Sequence, residues 1–314
     1  MSSLLGPLPA LNLEPLWSKM DRMVPALPEP KARPHQWKYA ECYPHLLKAG
    51  RMVAAEDAER RVLMLVNPAL ESPFTTDTIY GGLQLVNPGE TAPAHRHIAF
   101  AFRFIIDGEG FTAVEGKRMT LRRGDFVVTP TWHWHDHGNE SDAPVVWLDA
   151  LNLPVFTFLR VHFAEGYHDP RYPSEPADPC EWRFPWDEVE TALNATAGTK
   201  NHAVHHYVSS RTGKPLSATL GAQAERIAAG SSSEASQSQC SFMYHVYEGK
   251  GRSTITTPAT GETVEYSWQA RDTFVVPAWA KVQHFNDSEE EPAYLVAVHD
   301  RPMLENLGLI KPGL

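Results

Sequence analysis

Short apolar or alternating segments, separated by turns rich in glycine, proline and asparagine, fill the chain from about residue 60 onward. The first of these segments, residues 60–66, begins this part of the chain. Strands of this length between turn residues are typical of a β-barrel or a β-sandwich. The pattern therefore predicts a mainly β body.

Two proline-rich stretches interrupt this pattern. The first, residues 1–50, also contains short helical stretches such as 14–23, and the second, residues 169–179, precedes a predicted helix at 186–195. Proline clusters of this kind mark arms and connections rather than strands. We therefore expect an N-terminal arm with short helices (1–58), a first barrel (59–165), a linker with a helix (166–200), and a second barrel with the C-terminal tail (201–314).

The two halves of the chain repeat one another. In each half a Gly-x-Gly pair follows an apolar strand, and a later proline is followed by tryptophan at +2, histidine at +7 and asparagine at +9. Matched offsets at this distance indicate two copies of one structural unit. The pairs are Gly108 and Gly249, Pro130 and Pro277, Trp132 and Trp279, His137 and His284, and Asn139 and Asn286.

Composition excludes several classes of protein. The 314 residues exceed a comfortable single core, and 42% hydrophobic with 21% charged residues is ordinary for a globular protein. A net charge of −10 argues against a nucleic-acid partner. Three scattered cysteines indicate neither disulfides nor a thiolate metal site. Since no secretory signal and no apolar run of ~18 residues is found, we expect a cytoplasmic protein with no membrane association.

Three histidines are arranged as metal ligands. His95 and His97 are two positions apart in an extended segment, so their side chains point to the same face of a strand. His135 follows a strand and a turn and lies on the returning strand, where it supplies a third ligand. Three imidazoles favour Zn, Fe, Cu or Ni over Mg or Ca, and three protein ligands leave positions open for substrate. The pattern predicts a catalytic metal site.

These residues also carry a family resemblance. His95-x-His97, Gly108-x-Gly110 and Gly124-x5-Pro130-x4-His135-x3-Asn139 resemble the paired motifs of the cupin superfamily. The usual glutamate after the second histidine is missing, and Arg103 follows instead. That substitution resembles the gentisate 1,2-dioxygenase family, which includes salicylate and 1-hydroxy-2-naphthoate dioxygenases. The similar segments are residues 59–63, 67–68, 82–84, 94–97, 103–106 and 134–139, within a resemblance spanning about 35–300.

The resemblance implies a bicupin, with two double-stranded β-helix (jelly-roll) barrels and a partly helical arm. It implies one Fe(II) per chain held by His95, His97 and His135, and a homotetramer in which the arm is a plausible interface element. Arg103 would meet the substrate carboxylate, since guanidinium suits carboxylates, and we expect it on the same strand as His97 with the same facing. The alternative role for Arg103 is a buried structural ion pair.

Further residues match pocket positions of the family. Gln84 would hydrogen-bond the substrate, although a polar residue on a half-buried strand can also face water. His137 and Asp149 would take catalytic or ligand-orienting roles, and His137 would also contact the substrate. A shared structural role is the alternative for His137, because the second half keeps His284. Either Arg60 or Arg61 is also expected to reach the pocket.

The second barrel lacks the metal ligands. Counting from its Gly-x-Gly pair and its proline, the positions of His95, His97 and His135 are taken by Ser236, Ser238 and Val282. None of the three is a strong ligand for a transition metal. We therefore expect a single metal site, in the first barrel.

The expected function is Fe(II)-dependent, extradiol-type ring cleavage of an ortho-hydroxylated benzoate by O2. Gentisate would be cleaved between its carboxyl-bearing and hydroxyl-bearing carbons to give maleylpyruvate. Salicylate, a nitro- or chlorosalicylate or 1-hydroxy-2-naphthoate is the alternative substrate, because residues 98–102 are more apolar than is common in the family. Alternatives of another class are a non-catalytic ligand-binding bicupin and a zinc- or nickel-dependent isomerase or hydrolase.

Overall fold

Antiparallel β-sheet makes up most of the regular structure in the computed structural model, which describes residues 5–54, 61–258 and 260–311. Short 3-10 turns at Pro9–Leu11 and Leu16–Ser18 lie in the arm. The α-helices are α1 (Met20–Met23), α2 (Tyr39–Met52), α3 (Leu153–Leu159), α4 (Trp186–Asn194) and α5 (Arg301–Asn306). None of the helices in the described ranges is long and apolar enough to cross a membrane.

The strands up to residue 184 are β1 (His35–Trp37), β2 (Val62–Met64), β3 (Tyr80–Val86), β4 (Thr91–His97), β5 (Ala101–Asp107), β6 (Glu109–Val114), β7 (Lys117–Arg122), β8 (Phe126–Thr129), β9 (His135–Gly138), β10 (Val145–Leu151), β11 (Ala164–Gly166), β12 (Glu175–Pro176) and β13 (Arg183–Phe184). All but β1 form two six-stranded sheets, in the orders β13-β8-β5-β10-β3-β2 and β11-β4-β9-β6-β7-β12. These two sheets are the first jelly-roll barrel.

The remaining strands are β14 (His202–His206), β15 (Gly221–Ile227), β16 (Ser236–Gln237), β17 (Phe242–Glu248), β18 (Lys250–Thr256), β19 (Thr263–Gln269), β20 (Thr273–Val276), β21 (Lys281–Asn286) and β22 (Ala293–His299). They form sheets in the orders β1-β20-β17-β22-β15-β14 and β16-β21-β18-β19. The prediction of a mainly β fold with two barrels is confirmed.

The arm and the connecting segment both add strands to the barrels. Strand β1, from the arm, pairs with β20 of the second barrel. Strands β11, β12 and β13, from the connecting segment, pair with β4, β7 and β8 of the first barrel. The arm and the connecting segment therefore extend the sheets of the barrels at these strands.

The matched residues of the two halves adopt the same special backbone. Trp132 and Trp279 have positive φ angles of 62° and 67°, in the left-handed region that a tryptophan rarely adopts. Gly108 and Gly249 have φ angles of 77° and 100°. A Cβ on Gly108 would lie 2.3 Å from the carbonyl oxygen of Pro144, so only glycine fits. The repeat in the sequence is a repeat of turn geometry.

The two barrels share a core. The ring of Phe104 packs 5.3 Å from that of His245 and 5.9 Å from that of Tyr247, measured between centroids. Trp186, the first residue of α4, packs 4.0 Å from Tyr247. Met243 lies so close to Gly81 that a Cβ there would be 2.5 Å from its sulfur. The barrels are thus held against each other by buried apolar contacts.

Candidate metal centre and substrate cavity

Three buried histidines converge inside the first barrel. His95 and His97 lie on β4, and His135 lies on the neighbouring β9, directly opposite His95 in the strand register. Their ring centroids are 4.1 to 5.4 Å apart, and their candidate ligand atoms all lie within 4.8 Å of one another. Alternation along the strand and pairing across it thus bring the three rings together, as the sequence predicts.

Hydrogen bonds fix the tautomer of each ring. The Nδ1 atoms of His95, His97 and His135 each lie 2.7 to 2.8 Å from a main-chain carbonyl oxygen. The acceptors are the carbonyl oxygens of Pro93, Ala99 and His133. A carbonyl oxygen can only accept, so each Nδ1 carries the proton and each Nε2 keeps a lone pair. Ligating histidines are commonly oriented by such a bond from the other ring nitrogen.

Burial favours the neutral form of His135. Burial lowers the pKa of His135 well below its usual value, and charge on His95, His97 or Arg103 would lower it further. Three neutral nitrogen donors without a carboxylate suit a first-row transition metal such as Fe or Zn. Within the described ranges, no other group of three or more histidine, cysteine or acidic side chains is placed to hold a metal.

A cavity of about 250 Å³ opens next to the cluster and reaches His97. Polar groups converge on one part of its wall, and apolar side chains cover the rest. The polar residues include Tyr80, Gln84, Arg103 and Asp149, and the apolar ones include Val62, Met64, Leu151 and Leu153. A larger depression of about 1080 Å³, bordered by Phe74 and Phe158, lies elsewhere and contains none of the three histidines. The chemistry therefore belongs to the smaller cavity.

Arg103 borders this cavity, but not from the strand that the sequence suggested. His97 ends β4, whereas Arg103 lies on β5 in the other sheet of the barrel, so the expectation of one shared strand was wrong. The chain crosses between the two sheets at residues 98–100. Both side chains nevertheless line the same cavity, because each sheet turns one face to the barrel interior.

Asp149 holds the Arg103 side chain in place. Nε of Arg103 lies 3.1 Å from Oδ1 of Asp149, and Nη1 donates a hydrogen bond to the hydroxyl of Thr129. The indole of Trp147 donates to the same Oδ1 at 3.2 Å. Arg103 and Asp149 are both buried. The arginine is therefore a structural ion-pair partner and a cavity residue at the same time.

Gln84 is buried and faces the cavity. Its side chain is 1% exposed, so the alternative that it faces water does not hold. The side-chain Nε2 is buried and has no hydrogen-bond partner among the described residues. A buried amide without a partner is costly, which is why such a group commonly serves a ligand.

His137 lies deeper, behind the metal cluster. Its ring is fully buried 5.5 Å from that of His135, and its Nδ1 is 2.8 Å from the hydroxyl of Thr112. His137 is not among the described residues that line the cavity. His284 of the second barrel makes the matching contact with Ser253, at 2.7 Å. The pair of histidine and hydroxyl is thus a feature of both barrels.

Two further expectations concern residues near the pocket. Arg61 pairs with Glu90 at 2.7 Å and is not among the described residues that line the cavity. Arg60 lies outside the described residues. None of the residues 98–102 lines the cavity as described. Phe100 and Phe102 instead belong to the core shared by the barrels, so the apolar character of this segment carries no information about the substrate.

Sequence reasoning missed two of the polar residues that line the cavity. Tyr80 lies on β3 four positions before Gln84, so the same alternation that orients Gln84 could have identified it. His162 lies in the connection between α3 and β11, with its ring 6.2 Å from that of His97. That connection has no periodic pattern of apolar and polar residues, so nothing in the sequence indicated that His162 lines the cavity.

The second barrel repeats the strand pairing without the ligands. Ser236 lies opposite Val282, as His95 lies opposite His135 in the first barrel. A hydroxyl and an isopropyl group therefore occupy the positions of two imidazoles.

Comparisons with known proteins agree with this architecture. A cupin-domain model matches residues 82–151. The chain is 35% identical to gentisate 1,2 dioxygenase 1 of Aquipseudomonas alcaligenes, over 95% of this chain and 91% of that protein. It is 32% identical to 1-hydroxy-2-naphthoate 1,2-dioxygenase of Nocardioides sp. strain KP7, over 94% of this chain and 82% of that protein.

A solved structure is similar over nearly the whole length. Salicylate 1,2-dioxygenase from Pseudoaminobacter salicylatoxidans, in an adduct with gentisate, superimposes with a TM-score of 0.88 at 28% identity. The match covers 99% of this chain and 94% of that chain. On this combination of full-length similarity, two barrels and a buried three-histidine cluster, the chain belongs to the gentisate 1,2-dioxygenase family of bicupin ring-cleaving dioxygenases.

Proposed function

We propose that this protein is an Fe(II)-dependent, extradiol-type dioxygenase whose substrate is gentisate and whose product is maleylpyruvate. The observation that carries the proposal is the position of Arg103. Its buried guanidinium lines the same cavity as His97, so a carboxylate-binding group and a metal-ligand cluster border one space of about 250 Å³. An aromatic acid bound there would meet both.

His95, His97 and His135 would hold one Fe(II) through their Nε2 atoms. Fe(II) is among the metals that imidazole donors suit, and three protein ligands leave positions open. When bound, the metal supplies a Lewis-acidic, redox-active centre at which an ortho-hydroxylated acid and O2 can be brought together. The protein's own contribution is to fix three neutral donors in a buried, preorganised arrangement.

Arg103 would orient the substrate through its carboxylate. A guanidinium presents parallel N–H groups that match a carboxylate, and burial strengthens this interaction. Asp149 would act as a positioning residue, since it holds Nε of Arg103 at 3.1 Å and so fixes the plane of the guanidinium. The substrate ring would then lie along the apolar part of the wall, which includes Met64, Leu151 and Leu153.

Gln84 would donate a hydrogen bond to a substrate oxygen through the amide nitrogen that lacks a partner in the described structure. His137 would support the site from behind, by packing against His135 and by holding or moving a proton at its ring nitrogens. Its contact with Thr112 fixes the orientation of the ring.

A single-ring substrate fits the size of the cavity. Ligand pockets commonly have volumes of about 300–1,000 Å³, and the cavity of about 250 Å³ lies just below that range. This favours gentisate or a salicylate over a fused-ring hydroxynaphthoate. The similar salicylate dioxygenase was solved with gentisate, which supports a cavity of this type as a place for gentisate.

The test is a substrate panel with the Fe(II)-loaded protein. Oxygen uptake would be measured with gentisate, salicylate, 5-nitrosalicylate, 5-chlorosalicylate and 1-hydroxy-2-naphthoate, and products would be identified by mass. We expect the highest kcat/KM with gentisate and a product containing both oxygen atoms of O2. A higher kcat/KM with a salicylate would move the assignment to that substrate, and no uptake with any member would refute the dioxygenase proposal.

We also propose that the protein is a homotetramer in which the N-terminal arm is buried. Large apolar side chains of the arm are exposed in the single chain, including Leu13, Trp17, Met23 and Val24. Apolar surface concentrated in one segment commonly marks an interface. Light scattering should give the mass of four chains, and replacing Trp17 with Ser should shift the mass toward smaller species.

A further inference from the structure

The second barrel encloses a cavity of its own, of about 560 Å³, more than twice the volume of the cavity in the first barrel. It is lined by the buried side chains of Glu225, Tyr244 and His284, and also by Ser236, which is exposed, and Ser238, which is half-buried. The loss of the metal ligands has therefore left a space rather than a filled core.

The carboxylate-binding arginine of the first barrel has no equivalent here. In the first barrel Arg103 lies opposite Asp149, and in the second barrel Tyr244 lies opposite Ala297 in the corresponding strands. The ion pair is therefore replaced by a tyrosine and a methyl group. Among the described residues that line this cavity, no arginine is buried that could meet a ligand carboxylate.

An acid replaces the amide of the first cavity. Gln84 lies opposite Trp147 on β10, and Glu225 lies opposite Leu295 on β22 at the corresponding position. Glu225 is 2% exposed. The walls of the two cavities thus differ in charge at two positions. The second cavity has a buried carboxylate where the first has an amide, and it has a tyrosine where the first has a buried guanidinium.

Glu225 is held as a charged acceptor by a network of donors. Nε2 of His202 lies 2.8 Å from one carboxylate oxygen, and Nε2 of Gln223 donates to the other at 2.7 Å. Tyr244 also hydrogen-bonds to this carboxyl group. Burial alone would raise the pKa of Glu225, but the surrounding groups, chiefly the hydrogen bond from His202 together with that from Gln223, lower it to about 2. The carboxylate would repel a second anion.

His284 presents a hydrogen-bond donor to the same space. The indole of Trp268 donates to Oγ of Ser253 at 2.8 Å, and that Oγ lies 2.7 Å from Nδ1 of His284. Because the Ser253 hydroxyl has no other acceptor in the described part of the chain, it donates to Nδ1. The proton of the neutral imidazole is then on Nε2.

The Nε2 atom of His284 is a buried donor that also points to a ligand in this cavity. His284 is 2% exposed, lines the cavity, and its Nε2 has no hydrogen-bond partner within residues 5–54, 61–258 and 260–311. Burial lowers the pKa of His284 to about 4, although the charge of Glu225 opposes this shift. A neutral N–H donor is therefore buried beside a carboxylate acceptor, and leaving it without a partner is costly.

An aromatic wall completes the cavity. The ring of Tyr244 is stacked against Phe242, with centroids 5.7 Å apart, and against Phe274, with centroids 5.2 Å apart. Phe242 and Tyr244 line the cavity. One wall is thus flat and apolar, whereas the rest offers hydroxyl, amide, imidazole and carboxylate groups.

We propose that the second barrel is a binding site for a neutral, hydroxyl-rich molecule of monosaccharide size. A hydroxyl group both donates and accepts, so neighbouring hydroxyls can meet the acceptor Glu225 and the donor His284 together. The C–H face of such a molecule can lie against the aromatic wall to which Phe242 and Tyr244 contribute. An aromatic acid is disfavoured by the buried carboxylate, although Arg301 at the rim, 3.7 Å from Glu305, is a cation that an acid could reach.

The experiment is ligand-observed NMR on the full-length, Fe(II)-loaded protein under anaerobic conditions. D-glucose, D-galactose and myo-inositol are the probes, each measured with and without saturating gentisate. We expect saturation transfer to at least one of them, and we expect it to persist when gentisate is present. No transfer to any probe, or its displacement by gentisate, would overturn the proposal.

Two variants separate the cavity from the rest of the surface. Ser236→Trp places a large side chain in the wall of the cavity, where Ser236 is exposed, and should weaken binding by at least about tenfold. The control variant Ser210→Trp makes the same change at an exposed serine that is not among the described residues lining this cavity. It should bind the sugar probe as tightly as the parent protein does. Equal binding by both variants would overturn the proposal. Gentisate turnover should be unchanged in both.

Discussion

Arg103 and Asp149 form a buried ion pair inside the first barrel, with Nε 3.1 Å from Oδ1. The pair stands beside the three-histidine cluster, and both of its members line the cavity. A buried cation of this kind is costly unless it is paired, and pairing also fixes its direction. The same contact therefore compensates the buried charge of Arg103 and fixes the direction of its guanidinium beside the cavity.

Replacing Arg103 with Ala should reduce both stability and substrate binding. The Asp149 carboxylate would be left buried without its partner, which costs about 3–5 kcal/mol of unfolding free energy. The lost charged hydrogen bonds should raise KM for gentisate by roughly 10- to 100-fold. Urea unfolding and steady-state kinetics measure the two effects.

Adding Asp149→Asn to Arg103→Ala separates the structural role from the binding role. The double variant should recover much of the lost stability, because no charge is left buried without a partner, but KM should stay high. Recovery of KM together with stability would show that Arg103 acts on the fold alone.

Gln84→Leu should weaken substrate binding without weakening the fold. The amide nitrogen of Gln84 has no partner among the described residues, so an apolar side chain of similar size should leave the unfolding free energy unchanged or higher. KM for gentisate should rise by about 3- to 10-fold. The matched control is Gln223→Leu, which removes a 2.7 Å hydrogen bond to Glu225 and should lower stability while leaving KM unchanged.

Asn139→Ala should destabilise the first barrel. The buried amide of Asn139 donates to the carbonyl oxygens of Val86 at 2.9 Å and Ala143 at 2.7 Å, so both acceptors would lose a partner. We expect a loss of roughly 2–4 kcal/mol in urea unfolding. Asn286→Ala should have a similar effect, since that side chain makes the matching bonds in the second barrel. A loss below about 0.5 kcal/mol would contradict this structural role.

His245 should make the protein less stable in acid. Burial lowers the pKa of His245 to about 3, whereas an unfolded histidine titrates near 6.5. The unfolded chain therefore takes up a proton that the folded state excludes, so the stability present above about pH 6.5 is lost as the pH falls toward 3. This contribution has a slope of up to about 1.4 kcal/mol per pH unit.

Urea unfolding at about pH 7, 6 and 5 tests that dependence. His245→Gln should flatten the loss of stability over this range, because the variant has no imidazole to protonate in the unfolded chain. His168→Gln is the matched control, since that side chain is exposed, and it should keep the parent's slope. Equal slopes for all three proteins would contradict the assignment.

The metal cluster was predictable because it depends on two local rules. His95 and His97 share a face through strand alternation, and His135 returns beside them after one turn. The repeat also identified Ser236 and Val282 as the positions without ligands, and the register places them opposite each other. The spacing of two residues along the chain is therefore sufficient to predict that they lie together when both belong to the same sheet.

Other features of the site were not predictable, for physical reasons. Arg103 was assigned to the strand of His97 because the crossing at residues 98–100 contains neither glycine nor proline. Alternation also cannot distinguish the barrel interior from the core between the barrels, since both are buried, and so the sequence could not place Phe100 and Phe102 in that core. His162 lies in an irregular connection, and only the tertiary structure brings it near His97.

The most direct test of the central claim is the iron content and the gentisate-dependent oxygen uptake of the anaerobically reconstituted protein, measured for the parent, His135→Ala and His284→Ala. The account predicts one Fe per chain and oxygen uptake in the parent, loss of both in His135→Ala, and retention of both in His284→Ala. Iron or activity retained in His135→Ala, or lost equally in both variants, would contradict a single functional metal site in the first barrel.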